Sequence, residues 1–242
     1  MGPEERIIIR ACEIVGFSEA YLYDDHLPPF DSEGRGKAYV HQRFDWNGTR
    51  SATCLSADCT VSGVGYFGVA LTAFEDTVDV HLRVRNVMSV AMGPIDWSFC
   101  VIAFECPSVG DPELRRTFIF DGRRLRSLRE LSGAAVCELF PVAGAGGFLP
   151  AAFQALPRGN LVSQASFIVV ESQSGLHSVA LAFDQAYLNY SNPANMCIHA
   201  DPMLGTLERR DHESWADGKL YIVEGDATTA LQRYQTDFQR RH

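Results

Sequence analysis

His199 and Asp201 stand two residues apart in the run Cys197-Ile198-His199-Ala200-Asp201-Pro202. On an extended backbone both side chains project from the same side. The carboxylate can then orient the imidazole as a general base that titrates near neutral pH. A second group is His81, Arg83 and Arg85, which alternate with Leu82 and Val84; an earlier stretch carries His41 and Arg43 in the same His-x-Arg pattern. If the two stretches share a sheet, with polar faces on one side, imidazoles and guanidiniums converge on a surface suited to an anionic or hydroxyl-rich ligand. Arginine grips a carboxylate there through two parallel hydrogen bonds. His199, Asp201 and His81 are therefore the candidate catalytic residues, and His41, Arg43, Arg83 and Arg85 the candidate substrate-binding ones.

Each group also has a plainer reading. The His/Arg rows can be solvated strand faces held by cross-strand pairs, such as Asp79 with an arginine. Asp201 before Pro202 can initiate a turn, and His199 can satisfy a buried backbone group. His41, His81 and His199 with Glu105 or Asp201 offer nitrogen and oxygen ligands to a divalent ion, but at no diagnostic spacing, so neither a metal site nor a cofactor is expected. The sequence has no glycine-rich phosphate loop, dinucleotide fingerprint, G-x-S-x-G elbow or H-E-x-x-H, which removes the common nucleotide, hydrolase and zinc-protease signatures.

The elements that must position these residues read as strands. Phe67–Asn86 is two long strands joined at Glu75-Asp76, with Val78, Val80, Leu82 and Val84 on one face of the second. Ala38–Trp46 alternates in the same way and meets Asn47-Gly48, a strong hairpin signal that returns through Arg50–Ser56. In this pattern Trp46 and Trp97 read as core residues. Further strands are expected over Trp97–Cys106, Arg116–Phe120, Arg123–Ser127, Ser163–Glu171, His177–Phe183, Tyr187–Tyr190, Asn195–His199 and Lys219–Glu224. A Gly/Ala/Pro-rich connection over 133–157 can form a rim, and a polar loop spans 205–218. Residues 1–36 read as an irregular segment in which IIIRACEIV could form a first strand. A closing helix over 226–240 has Asp226 as N-cap and Leu231, Tyr234 and Phe238 as its apolar stripe. Hairpin spacing without crossover helices predicts an all-β fold, a large antiparallel sandwich with a C-terminal helix, as one domain over 1–242.

Composition limits the partners. With 21 Lys+Arg against 30 Asp+Glu the formal charge is -9, which argues against a nucleic-acid footprint. No apolar run approaches the ~20 residues needed to cross a bilayer, and the N-terminus lacks a signal-peptide core. The seven cysteines are odd in number, form no C-x-x-C pair and mostly sit in apolar runs, where they behave as small hydrophobes. The expectation is a soluble protein of a reducing, cytoplasmic compartment, with free strand edges open to homo-oligomerisation.

The runs TAFEDTVDVHLRVRN, FDQAYLNYSNPANMCIHADP and GKLYIVEGD, in that order, resemble the galactose-mutarotase-like β-sandwiches of aldose epimerases, polysaccharide lyases and glycosidases. The resemblance spans roughly Tyr39 to Asp226 and implies a supersandwich whose concave sheet binds carbohydrate. It implies proton transfer by His and acidic residues in epimerases, and neutralisation of a sugar carboxylate by a basic residue in lyases. His81, Arg83, Arg85 and His199 occupy positions that could take such roles. The epimerases' Asn-His-x-Tyr/Phe segment is missing. The expected function is acid–base chemistry on a sugar or uronic acid, by epimerisation or β-elimination. The alternative is a non-catalytic sugar-binding or oligomer-forming sandwich. In either case the partner is a small-molecule or oligosaccharide ligand.

Overall fold

A computed structural model describes residues 4–17, 20–24, 38–40, 46–48, 53–146, 153 and 155–238. The strands are β1 (Ile8–Phe17), β2 (Ala20–Asp24), β3 (Ala38–Val40), β4 (Cys54–Val61), β5 (Gly65–Ala73), β6 (Thr77–Asn86), β7 (Ile95–Ile102), β8 (Thr117–Phe120), β9 (Leu125–Ser127), β10 (Leu139–Pro141), β11 (Phe167–Glu171), β12 (His177–Phe183), β13 (Ala186–Asn192), β14 (Cys197–Pro202) and β15 (Glu213–Glu224). Two helices join them, α1 (Leu128–Ser132) and α2 (Ala227–Phe238). One sheet has seven strands in the order β10-β13-β14-β7-β1-β2-β3, and the other eight in the order β4-β5-β6-β15-β12-β11-β8-β9. Among the described residues every pairing between named strands but the parallel β2–β3 contact is antiparallel, so the molecule is the expected antiparallel sandwich.

Strand alternation builds the core between the sheets. Val80, Leu82 and Val84 of β6 and Leu181 of β12 point inward to meet Trp97, Phe99 and Val101 of β7 and Ile198 and Ala200 of β14. Phe67 meets Trp97 edge-on, and Phe99 meets Phe183, with ring centroids 6.1 and 5.5 Å apart. Both outer faces are covered in part. On the eight-stranded sheet, Leu231, Tyr234 and Phe238 of α2 pack against Phe167, Ala180 and Tyr221. Asp226 caps that helix, accepting from Thr229 N at 2.9 Å, as the sequence pattern requires. On the seven-stranded sheet, Ala145, Phe153 and Leu156 of the Gly/Ala/Pro-rich connection lie over Leu188 and Tyr190. Covering of both faces is why several strands read as continuous apolar runs.

Four expectations are corrected. Asn47 is not the centre of a two-residue turn, since it bridges Ser56 antiparallel; Ala38–Val40 joins β2, and residues 41–45 and 49–52 of the expected hairpin lie outside the described residues. Within the segment read as irregular, residues 8–17 form the first strand that IIIRACEIV allowed, β1, which lies inside the seven-stranded sheet against β7. The polar stretch 205–218 becomes strand from Glu213 onward, because its alternating charges meet complementary charges on β6. Trp46 is exposed, whereas Trp97 is fully buried. Among the described residues no helix is long and apolar enough to cross a membrane, and the described cysteines carry free thiols.

Candidate functional site

The two candidate groups lie on opposite outer faces of the sandwich. In β6, inward Val80, Leu82 and Val84 force His81, Arg83 and Arg85 outward from the eight-stranded sheet. There they meet β15 in register, with Arg85 opposite Glu213, Arg83 opposite Trp215 and His81 opposite Asp217. The outcome is a ladder of cross-strand polar pairs: Lys219 with Asp79, His81 Nδ1 with Asp217 at 2.8 Å, Arg83 with Glu213, and Arg85 with Asp211 at 2.6 Å. Arg83 also lies over the Tyr66 ring, 5.3 Å from its centroid. The plainer of the two readings of this row therefore describes its geometry, with Lys219 in place of an arginine as the partner of Asp79. His41 and Arg43 lie outside the described residues. Arg83 and Arg85 are not brought to His199, because the hydrophobic core lies between the two faces.

His199 and Asp201, in contrast, come together on the outward face of β14. Ile198 and Ala200 point into the core, so Cys197, His199 and Asp201 form a row on the other side. Neighbouring β7 repeats the device: Trp97, Phe99 and Val101 face inward, and Asp96, Ser98 and Cys100 face out beside that row. The register places His199 opposite Cys100 on one side and opposite Tyr190 of β13 on the other. The imidazole is thereby enclosed, with 3% of its surface exposed. Its Nε2 lies 3.3 Å from Cys197 Sγ. Its Nδ1 lies 3.4 Å from Ser98 Oγ and 3.5 Å from Asp201 Oδ1. Asp201 Oδ1 also accepts from Phe99 N at 3.1 Å. A few residues along the face, the buried Tyr187 hydroxyl donates to Asp96 at 2.5 Å.

This setting polarises the pair. Hydrogen bonding from Cys100, aided by His199, pulls the Cys197 thiol down to about 4 against the effect of burial. Burial alone would lower the His199 imidazole, but Cys197 and Asp201 beside it override this and raise it to about 10. The direction follows from proximity: two groups 3.3 Å apart share a proton best as thiolate and imidazolium, each stabilising the other. An imidazole raised in this way stays protonated near neutral pH, so it stands there as an acid and not as the neutral base that the sequence pattern suggests.

Cys197, Cys100 and Ser98 were not among the sequence candidates. The signal was present as two period-two rows, Cys197-x-His199-x-Asp201 and Asp96-x-Ser98-x-Cys100, the second hidden in an apolar run whose strand is buried on both faces.

No family model matches the sequence, and no curated protein matches it. By structure the chain is distantly similar to a putative aldose 1-epimerase from Escherichia coli K12, with a TM-score of 0.42 and 9% identity over 90% of this chain and 84% of that one. It is also similar to a galactose mutarotase-like protein from Lactobacillus casei, at TM-score 0.41 and 12% identity over 90% and 84% of the two chains. A galactose 1-epimerase from Lactobacillus acidophilus gives TM-score 0.41 and 10% identity over 93% and 79%.

Proposed function

We propose that the chain is a carbohydrate-active protein that moves a proton on a sugar or uronic acid, by epimerisation or β-elimination, with His199 carrying the proton and Asp201 orienting the ring. The observation that carries this reading is the His199 imidazole itself, buried between Cys197 at Nε2 and Asp201 at Nδ1. A ring held at both nitrogens is already oriented, so the imidazole itself needs no reorganisation when it gives up a proton. The substrate class is that of the family the sequence resembles; the residues supply the chemistry.

The enclosure of His199 and the self-paired charge ladder on β6 and β15 favour a second reading, a sugar-binding sandwich without turnover. Turnover separates the two. The protein is assayed for anomeric exchange on reducing sugars, for solvent deuterium uptake into sugars and uronides, and for formation of unsaturated uronides. Turnover that disappears in His199→Gln supports the catalytic reading. Saturable binding without turnover supports the second. Neither turnover nor binding across the panel overturns both.

A further inference from the structure

We propose that Cys100, Cys197 and His199 form a binding site for one soft d10 metal ion, Zn(II) or Cu(I). One donor atom from each residue lies within 4.8 Å of the others, and all three side chains are buried. In a four-coordinate zinc site the metal sits about 2.3 Å from sulfur and about 2.0 Å from nitrogen, which places donors about 3.5–3.8 Å from one another. The 3.3 Å between Cys197 Sγ and His199 Nε2 is already close to that edge.

The trio comes from two adjacent strands of one sheet. Cys197 and His199 share a face of β14, and Cys100 stands opposite His199 on β7. Two sulfurs and one imidazole favour soft or borderline ions over magnesium or calcium, which prefer oxygen.

An independent observation lies behind the ring. A metal-bound histidine commonly gives its other nitrogen to a carboxylate, which fixes its orientation. His199 has that arrangement, with Nε2 toward Cys197 and Nδ1 within 3.5 Å of Asp201 Oδ1. Asp201 is in turn held by Phe99 N, and Tyr190 stacks on the ring with centroids 4.0 Å apart. The ligand is therefore oriented by groups that do not themselves coordinate. Binding leaves two thiolates and a neutral imidazole on the metal. Two protons depart to solvent, one from Cys100 and one shared by Cys197 and His199, and no electrons are transferred.

The proposal does not rest on the sugar reading, which describes the metal-free chain because a bound ion takes the Nε2 position that carries the proton there, and its test needs no substrate. The full chain is purified under reducing conditions, stripped with a chelator, and titrated in separate arms with Zn(II) and Cu(I) against a chromogenic competitor. X-ray absorption then counts sulfur neighbours on the loaded protein. The expected result is one equivalent of one of the two ions, with two sulfurs and one nitrogen in its coordination sphere. Cys100→Ser, Cys197→Ser and His199→Gln should each weaken binding more than tenfold. Asp201→Asn should weaken it by about 10–100-fold, whereas exposed Cys54→Ser leaves it unchanged. If the buried variants fail to fold, the sulfur count on the unaltered chain still decides. Absence of stoichiometric binding of either ion, a coordination sphere without two sulfurs, or a Cys100–Cys197 disulfide in the chain as isolated would overturn the proposal.

Discussion

Tyr190 lies flat against His199, their ring centroids 4.0 Å apart and their planes 11° from parallel. The stack ties β13 to β14 at one register pair and leaves the imidazole little freedom to rotate. If the chain turns over a sugar, His199→Gln should lower kcat by about 10²–10⁴, the usual loss on removing a general acid or base. Tyr190→Leu keeps the titrating ring but loosens it, and should cost up to roughly 10² through misplacement. Steady-state kinetics on variants with matched melting curves checks both. Full activity in His199→Gln would remove this residue from the mechanism.

The charge ladder on β6 and β15 should behave as a surface feature. Arg83 and Arg85 are both close to half exposed and already paired, and exposed ion pairs contribute about 0–1 kcal/mol each. Arg85→Ala should therefore shift the melting temperature by only a few degrees, and by less at high salt, while leaving any turnover at His199 unchanged. A large loss of activity in Arg83→Ala or Arg85→Ala, with folding intact, would return these residues to the site.

The contrast between these two faces shows what the sequence could convey. The Thr77–Asn86 strand was legible because its inward valines and outward charges alternate without interruption. The direction of each side chain could be read, but the partner on β15 could not, since Glu213–Asp217 looked like a polar loop until β6 supplied its register. The Cys197–Asp201 row was half legible. His199 and Asp201 stood out as ionisable groups, while Cys197 and Cys100 passed as small hydrophobes. Their role depends on β7 and β14 being neighbours, and 94 residues separate Cys197 from Ile102, the position opposite it. Long-range pairing of that kind leaves no local trace.

Helix α2 holds to the eight-stranded sheet through Leu231, Tyr234 and Phe238, each below 10% exposed. Leu231→Ala removes buried methyl groups and leaves a cavity, at a cost of about 2–5 kcal/mol. In a chain of this length each kcal/mol lowers the melting temperature by about 2–4 °C. Thermal unfolding followed by circular dichroism checks the shift; an unchanged melt would mean that the helix contributes nothing to the cooperative unit.

The N-terminus of the same helix makes a pH prediction. Asp226 Oδ1 accepts from both Thr229 N and Thr229 Oγ1 at 2.9 Å, and these bonds, the backbone one foremost, hold its carboxyl below the usual value of 3.8. A carboxylate whose pKa is depressed by folding contributes stability that is present above its unfolded value and is lost as pH falls through the folded value. Asp226→Ala removes the cap outright and should cost about 0.5–2 kcal/mol near neutral pH. The gap between wild type and Asp226→Ala should narrow as the pH falls from 3.8, where the unfolded carboxyl takes up its proton first, through the lower folded value, where the cap itself is protonated. Asp226→Asn separates capping from charge. Its amide oxygen caps about as well as a carboxylate and does not titrate, so its advantage over alanine should persist in acid. Urea unfolding of the three proteins at neutral and at acidic pH measures both gaps. An Asp226→Ala penalty that stays constant down to acid, or an Asn variant that follows alanine at neutral pH, would show that the carboxylate does not act as the cap.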